Sequence, residues 1–158
     1  MVDVPTISIA IASASVVAGV IYYAFQVRHQ TRTRQTDLVM RLYATFSSTE
    51  FQDAWAKVRD KASNFETIND IYDFDTKVGF RQVNQVCLFF EGIGILLQRK
   101  LLDTRMVEDL FGGAVARAWE KVKTGVIKAR KQLNDPTIYY YFEYLYNEMQ
   151  KKNTTTTR

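Results

Sequence analysis

Between Asp3 and Arg28 the sequence contains no charged residue. The apolar part, residues 7–27, reads ISIAIASASVVAGVIYYAFQV. As an α-helix it would be roughly 31 Å long, about the thickness of the hydrocarbon core of a bilayer. A signal peptide would begin with basic residues, which residues 1–6 lack, and a helix lying on a membrane surface would carry a charged face. We therefore predict a single transmembrane helix over residues 7–27.

Small residues recur along one side of this predicted helix. Ala10, Ala14 and Ala18 follow each other at intervals of four, and Ser15 stands four residues before Gly19. Small side chains at this spacing let a second membrane helix approach closely. The pattern indicates a helix-packing face, although alanine is also simply tolerated in lipid.

The flanks of the apolar stretch differ in charge. Arg28, Arg32 and Arg34 follow it, whereas no Lys or Arg precedes it. The positive-inside rule therefore predicts a single-pass protein of the cell membrane, with its N-terminus outside and its C-terminal domain in the cytoplasm. We expect the three arginines to contact anionic lipid headgroups.

Helical periodicity continues through the rest of the chain, and it predicts an all-α fold. The transmembrane helix is expected to continue into a small cytoplasmic bundle of about five helices. We divide the chain into an N-terminal segment with the membrane helix (residues 1–28), the bundle (29–150) and a polar tail (151–158). No proline and no glycine except Gly19 interrupts residues 6–46, so we predict one continuous helix there.

The predicted helix boundaries come from capping residues. Ser47 with Glu50 resembles a capping box and would start a second helix with one apolar face. Residues 63–73 are a predicted polar linker, and a central apolar helix is expected over about 75–99. Asp103 would cap the next helix, with a break at Gly125. Asp135 would cap a last helix over residues 137–150. The apolar face of the second helix comprises Phe51, Ala54, Trp55 and Val58.

The residue types that carry out chemistry are scarce. The chain has one histidine, His29, and one cysteine, Cys87. Neither has companions at the spacing of a metal site or of a nucleophile with its base, and no glycine-rich phosphate loop is present. We therefore predict no catalytic, cofactor or metal site. Lysine and arginine are also too sparse to favour a nucleic-acid partner.

Two glutamates stand out because each follows aromatic residues on an apolar helix. Glu91 comes after two phenylalanines, and Glu143 comes after Tyr141 and Phe142. A carboxylate in such surroundings needs a partner, and we expect structural ion pairs with Arg130 or Arg117. The alternative is that the two glutamates form an acid and base pair of an enzyme.

Basic residues are concentrated in residues 117–131, against a single acidic residue, Glu120. This stretch is either a solvated helix face or a surface for anionic lipid or an acidic partner. Its basic residues are Arg117, Lys121, Lys123, Lys128, Arg130 and Lys131.

Several short motifs occur in a definite order along the chain. Because it carries these motifs in this order, the chain resembles an uncharacterised family of small prokaryotic proteins, a domain of unknown function. That family has one N-terminal membrane helix and a cytoplasmic helical domain. The resemblance implies that fold and no activity, and it implies that Glu91, Arg130 and Glu143 belong to a shared structural core. The motifs are Phe89-Phe90-Glu91-x-Ile93-Gly94, Leu101-Leu102-Asp103, Trp119, Arg130 and Asp135-Pro136-x-x-Tyr139-x-x-Phe142-Glu143-x-Leu145.

These patterns favour a protein that associates with others. We expect an accessory or interaction subunit of a membrane complex, without catalysis of its own, that contacts membrane lipids and either a membrane-protein partner or a second copy of itself. The alternative is a regulatory module that binds anionic lipid at the membrane surface. An enzyme that uses Glu91 and Glu143 is the third hypothesis.

Overall fold

The computed structural model describes residues 3–60 and 79–153, and within these ranges it contains five α-helices and no strand. The all-α fold class is therefore confirmed. The chain divides into two compact units, Met1–Leu38 and Val39–Arg158. The helices are α1 (Val4–Phe46), α2 (Thr49–Asp60), α3 (Phe80–Gln98), α4 (Thr104–Leu133) and α5 (Tyr140–Asn153).

Helix α1 is continuous over its whole length, as the absence of helix breakers predicts. In the described part of the chain, no helix combines the length and the hydropathy that crossing a membrane requires. The side chains of residues 7–11, at the start of the predicted span, lie outside those described.

In the second unit, α3 contacts α2, α4 and α5, and its pairing with α5 is the most extensive. Its inward face is buried, as the central apolar sequence predicts. Leu88 is an exception with 54% of its surface exposed. The buried residues of α3 are Val83, Val86, Cys87, Phe90, Ile93 and Leu97.

A cluster of phenylalanines joins the end of α1 to the other helices. Phe51 of α2 lies 4.6 Å from Phe89 of α3, measured between ring centroids. Phe46, the last residue of α1, meets Phe111 of α4 edge to face at 5.5 Å. Tilted and edge-to-face contacts of this kind add to the free energy gained by burying the rings. All four residues of the predicted apolar face of α2 are buried.

The start of α2 lies one residue later than the sequence indicates. The hydroxyl of Ser48 accepts the N–H of Phe51 at 3.3 Å, whereas Ser47 donates its own hydroxyl back to the carbonyl of Tyr43. The prediction that Ser47 caps this helix is therefore wrong, because Ser47 still belongs to the last turn of hydrogen bonds of α1. The side-chain amide of Gln52 donates to the carbonyl of Phe46 at 2.6 Å. This bond gives a partner to one of the carbonyl groups that are free at the end of α1.

Helix α4 begins where predicted and ends later. Asp103 accepts the N–H of Arg105 at 2.8 Å, so its capping role is confirmed. The predicted break at Gly125 does not occur, since α4 continues to Leu133 with Gly125 among its buried residues. Burial of this face stabilises the helix by more than the cost of about 1 kcal/mol that glycine imposes on it. The predicted linker over residues 63–73 lies outside the described residues.

The aromatic cluster should dominate the stability of the second unit. Phe51 is 2% exposed, and Phe51→Ala should lower the free energy of unfolding by about 3–5 kcal/mol because it leaves a cavity among the rings. The matched variant Leu88→Ala, at an exposed position of α3, should change it by less than about 0.5 kcal/mol. Urea unfolding of the detergent-solubilised chain, followed by tryptophan fluorescence, measures both. Equal losses in the two variants would contradict the packing described above.

Candidate functional site

The segment before α5 forms a turn, and the helix begins three residues later than predicted. Asp135 accepts the N–H and the hydroxyl of Thr137 at 2.9 and 2.6 Å. Tyr139 then has a left-handed backbone conformation, with φ at 50°, which a helix cannot continue through. The prediction that Asp135 caps a helix starting at residue 137 is therefore wrong, because its carboxylate closes the turn and α5 begins at Tyr140.

The cap of α5 comes from a different helix. The Oε2 atom of Glu91, on α3, accepts the backbone N–H of Phe142 at 2.6 Å, and the N–H of Tyr141 also donates to this carboxylate. These N–H groups belong to the first turn of α5, where they have no partner within the helix. A negative charge at this end also interacts favourably with the helix dipole. Glu91 therefore performs for α5 what a local Ser or Asp performs for most helices.

Burial governs the acidity of Glu91. Loss of hydration raises the pKa of Glu91 above its ordinary value of 4.5, and the N–H groups of Phe142 and Tyr141 and the charge of Arg130 oppose this rise in that order. The cap is thus a half-buried carboxylate whose charged form is favoured by its donors and disfavoured by its surroundings.

Gly94 permits the close approach that this cap requires. A Cβ atom at Gly94 would lie 2.0 Å from the carbonyl oxygen of Tyr141, closer than two such atoms can come. Gly94 stands three residues after Glu91, so both lie on the same face of α3. The absence of a side chain brings the start of α5 against α3, and the carboxylate beside it satisfies the helix end.

Arg130 secures the same region from α4. Its Nη1 atom lies 2.6 Å from Oε2 of Glu143, and its Nε donates to the carbonyl of Ile138 at 2.9 Å. The Arg130 side chain is 17% exposed and that of Glu143 is 36% exposed. One guanidinium therefore holds both the turn before α5 and the first turn of α5, in the fork geometry that arginine provides.

Aromatic side chains surround these polar contacts. The phenol of Tyr139 donates to Oδ1 of Asn84 at 2.6 Å, and burial raises the pKa of Tyr139, so the phenol remains a neutral donor. Phe142 stacks on Phe90 and meets Trp119 edge to face, each at 5.1 Å. We call Glu91, Gly94, Arg130, Tyr139 and Glu143 the α5 clamp.

The residues predicted to form ion pairs make different contacts in the structure. Glu143 and Arg130 come together, whereas Glu91 binds the backbone of α5 and meets Arg130 through its charge at longer range. Arg117 lies on the exposed face of α4, where its guanidinium would stand 3.3 Å from a Cβ at Gly113. The sequence marked Glu91, Arg130 and Glu143 as site residues but not Gly94 or Tyr139. It did not show the role of Glu91, because the N–H of Phe142 that this carboxylate caps lies 51 positions away along the chain.

The basic stretch of α4 is not one uniform surface. Arg130 points into the clamp, and Lys123 pairs with Glu120, which also accepts the phenol of Tyr146 at 2.6 Å. Lys121 and Lys131 are exposed, and Lys128 is half-buried.

A second group of residues predicted to contact other helices or lipid lies on α1. Ala14, Ser15, Ala18 and Gly19 are exposed there, and Ala10 lies outside the residues whose side chains are described. The predicted lipid-contacting residues Arg28, Arg32 and Arg34 are exposed as well.

The described residues include neither a grouped set of metal ligands nor an exposed thiol. Among residues 3–60 and 79–153, no three His, Cys, Asp or Glu side chains are grouped so that they could hold a metal ion. Burial raises the pKa of the Cys87 thiol, which keeps it protonated and a poor nucleophile. His29 is exposed on α1.

Comparison with known proteins identifies the family. Residues 12–149 match a family described as a domain of unknown function, DUF4760. The chain belongs to this family. The resemblance to an uncharacterised family that the sequence motifs indicate is thus confirmed, and the match covers α2, α3 and α4 in full and nearly all of α5. No curated protein and no solved structure matches the chain.

The α5 clamp predicts opposite effects at two glycines of α3. Gly94→Ala should lower the free energy of unfolding by about 3 kcal/mol or more, since its methyl group meets backbone and not a movable side chain. Gly92→Ala meets nothing within 4 Å and should raise it by about 0.5–1 kcal/mol through helix propensity. Thermal unfolding followed by circular dichroism compares the two. A stable Gly94→Ala variant would show that α3 and α5 do not approach as described.

The raised pKa of Glu91 predicts a pH dependence. Between 4.5 and the raised value, the folded protein binds a proton at Glu91 more tightly than the unfolded chain does. The free energy of unfolding of the parent, relative to Glu91→Gln, should therefore fall as pH rises through this window. Glutamine keeps an oxygen that accepts the N–H of Phe142 but does not titrate.

Denaturant unfolding at several pH values between about 4 and 8 tests this dependence. Glu50→Gln, at an exposed position of α2, controls for loss of a charge. Parallel pH curves for the parent and Glu91→Gln would contradict the burial of this carboxylate.

Proposed function

We propose that this DUF4760 protein is a single-pass membrane-anchored subunit that associates with other proteins of a membrane complex and has no catalytic activity of its own. The proposal rests on the contacts that two of its glutamates make within the protein. Glu91 is bound to the backbone of α5, and Glu143 is bound to Arg130. A general acid or base must exchange a proton with a substrate within hydrogen-bond reach, and these carboxylates are instead engaged in holding two helices together.

The membrane part of the proposal rests on the sequence of α1. Residues 7–27 carry no charge, and arginines follow them on one side only. We infer that this stretch crosses the cell membrane, with the N-terminus outside and the Val39–Arg158 unit in the cytoplasm. The exposed small residues Ala14 and Ala18 would then face lipid or a neighbouring membrane helix.

Exposed apolar side chains on the second unit support association. Met40 of α1 is 57% exposed, Leu88 of α3 is 54% exposed and Leu133 of α4 is 55% exposed. Single exposed apolar residues are ordinary, but exposed apolar side chains on three helices of one small unit offer several surfaces to a partner protein.

The second candidate is a module that binds anionic lipid at the membrane surface. Exposed arginines that follow the proposed span favour it, since each basic residue near an anionic surface contributes about 1 kcal/mol. On α4, however, Arg130 and Lys123 already have acidic partners within the protein. This leaves fewer cations for a flat anionic surface than the sequence indicates.

Substitution of the small residues of α1 tests the proposal. Ala14→Ile together with Ala18→Ile should leave membrane insertion intact because hydrophobicity rises, and it should weaken assembly because the close-packing surface is lost. Val16→Ile with Val20→Ile, about half a helical turn away, is the matched control and should assemble as the parent does. Native gel electrophoresis and co-purification in mild detergent, with mass spectrometry, measure assembly.

Two outcomes would contradict the proposal. If the alanine double variant migrates and co-purifies as the parent does, the small residues face only lipid and the membrane half of the proposal fails. If alkaline carbonate washing releases the parent from membranes, the anchor itself is wrong.

A further inference from the structure

A small groove lies between α2 and α4 on the second unit. Trp55 and Ala116 contribute apolar surface to it, and the lining is almost entirely apolar. Its volume is about 270 Å³, slightly below the range of roughly 300–1,000 Å³ that is usual for cofactor and drug-sized ligands. A groove of this size has room for one large side chain. The residues that line it are Trp55, Arg59, Ala116, Arg117, Glu120 and Lys121.

The charges around this apolar surface are unbalanced. Arg117 and Lys121 contribute two exposed cations from α4, and the aliphatic parts of such side chains can cover apolar surface while their charged ends stay in water. Glu120 is the one acidic residue in the lining, and it is already bonded to Lys123 and to Tyr146. These bonds hold the pKa of Glu120 below its ordinary value, with the Lys123 contact as the largest cause. The rim is therefore cationic around an apolar centre.

We propose that this groove binds an acidic segment of a partner protein, in which one aromatic or large aliphatic side chain enters the groove and neighbouring carboxylates meet Arg117 and Lys121. Apolar anchors that fill a pocket supply most of the affinity of such contacts, and complementary charges add specificity and speed of association. The inference rests on the function proposed above, since it names the chemistry of the partner and the surface that receives it.

Two observations favour a peptide over a lipid surface. The groove is concave and sized for one side chain, whereas a bilayer presents a broad plane of headgroups. In the basic stretch of α4, Arg130 and Lys123 also form ion pairs with acidic residues of the protein itself. The remaining cations of the groove flank an apolar centre, which matches an apolar residue between acidic ones.

The test uses the full chain in nanodiscs of phosphatidylcholine and a phage-displayed library of random seven-residue peptides. We expect enrichment of peptides with Phe, Trp, Tyr, Leu or Ile flanked by Asp or Glu. Their affinity should fall roughly tenfold or more in Arg117→Glu/Lys121→Glu, which reverses both charges. Ala116→Phe, which fills the groove and keeps every charge, should also abolish their binding.

Lys57→Glu/Lys131→Glu is the matched control for net charge. Both lysines are exposed, and neither lines the groove. This variant should retain the peptides with less than about a threefold loss in affinity. Thermal unfolding of each variant checks that the fold is kept, and the two groove variants act by different means, so either one that remains folded decides the result.

Three results would overturn the inference. The first is no enrichment of acidic peptides with an apolar residue. The second is an equal loss of affinity in the groove variants and in the control. The third is saturable binding of a soluble short-chain phosphatidylglycerol that needs Arg117 and Lys121, with no peptide enriched, which makes the groove a lipid site. If a membrane partner co-purifies equally with the parent and with the groove variants, the groove inference fails while the proposed function stands.

Discussion

The carboxylate of Glu91 meets the free N–H groups at the start of α5, and the position of this helix start against α3 depends on that contact. Tyr139 is left-handed and Asp135 is occupied in a turn, so no neighbouring residue caps these groups and the cap must come from another helix. Gly94 lets the two backbones approach closely enough for it. Arg130 then fixes the turn and the first residues of α5 from α4. Removing Glu91 leaves the N–H of Phe142 without this partner, and removing Arg130 leaves Glu143 and the carbonyl of Ile138 without theirs.

Local rules predicted much of this fold from the sequence. The four apolar residues of α2 and the cap at Asp103 depend on residues close in the chain, and both are as predicted. The predictions failed where a different residue accepts the N–H groups at the start of the next helix, Ser48 for α2 and Glu91 for α5. Ser47 stays with α1, and Asp135 closes a turn, because in each case a second acceptor serves the following helix. Sequence spacing marked Glu91 as needing a partner, but it could not show that the partner is backbone.

The clamp also bears on how a DUF4760 protein functions. Its two glutamates, its partly buried arginine and its tyrosine are ionisable groups, and all of them make contacts that hold α5 in place. Other surfaces include the uncharged N-terminal stretch of α1 and the groove between α2 and α4. Under the proposed function, the first would serve association through close packing in lipid, and the second through an apolar anchor with complementary charge.

Hydrogen exchange of the Phe142 amide tests the capping contact most directly. In the parent this N–H is bonded to Glu91 at 2.6 Å, so NMR should show it protected although it lies in the first turn of a helix. In Glu91→Ala its exchange should accelerate by at least about tenfold, while the amide of Val122 in the middle of α4 keeps its rate. Equal exchange of the Phe142 amide in the parent and the variant would contradict the account.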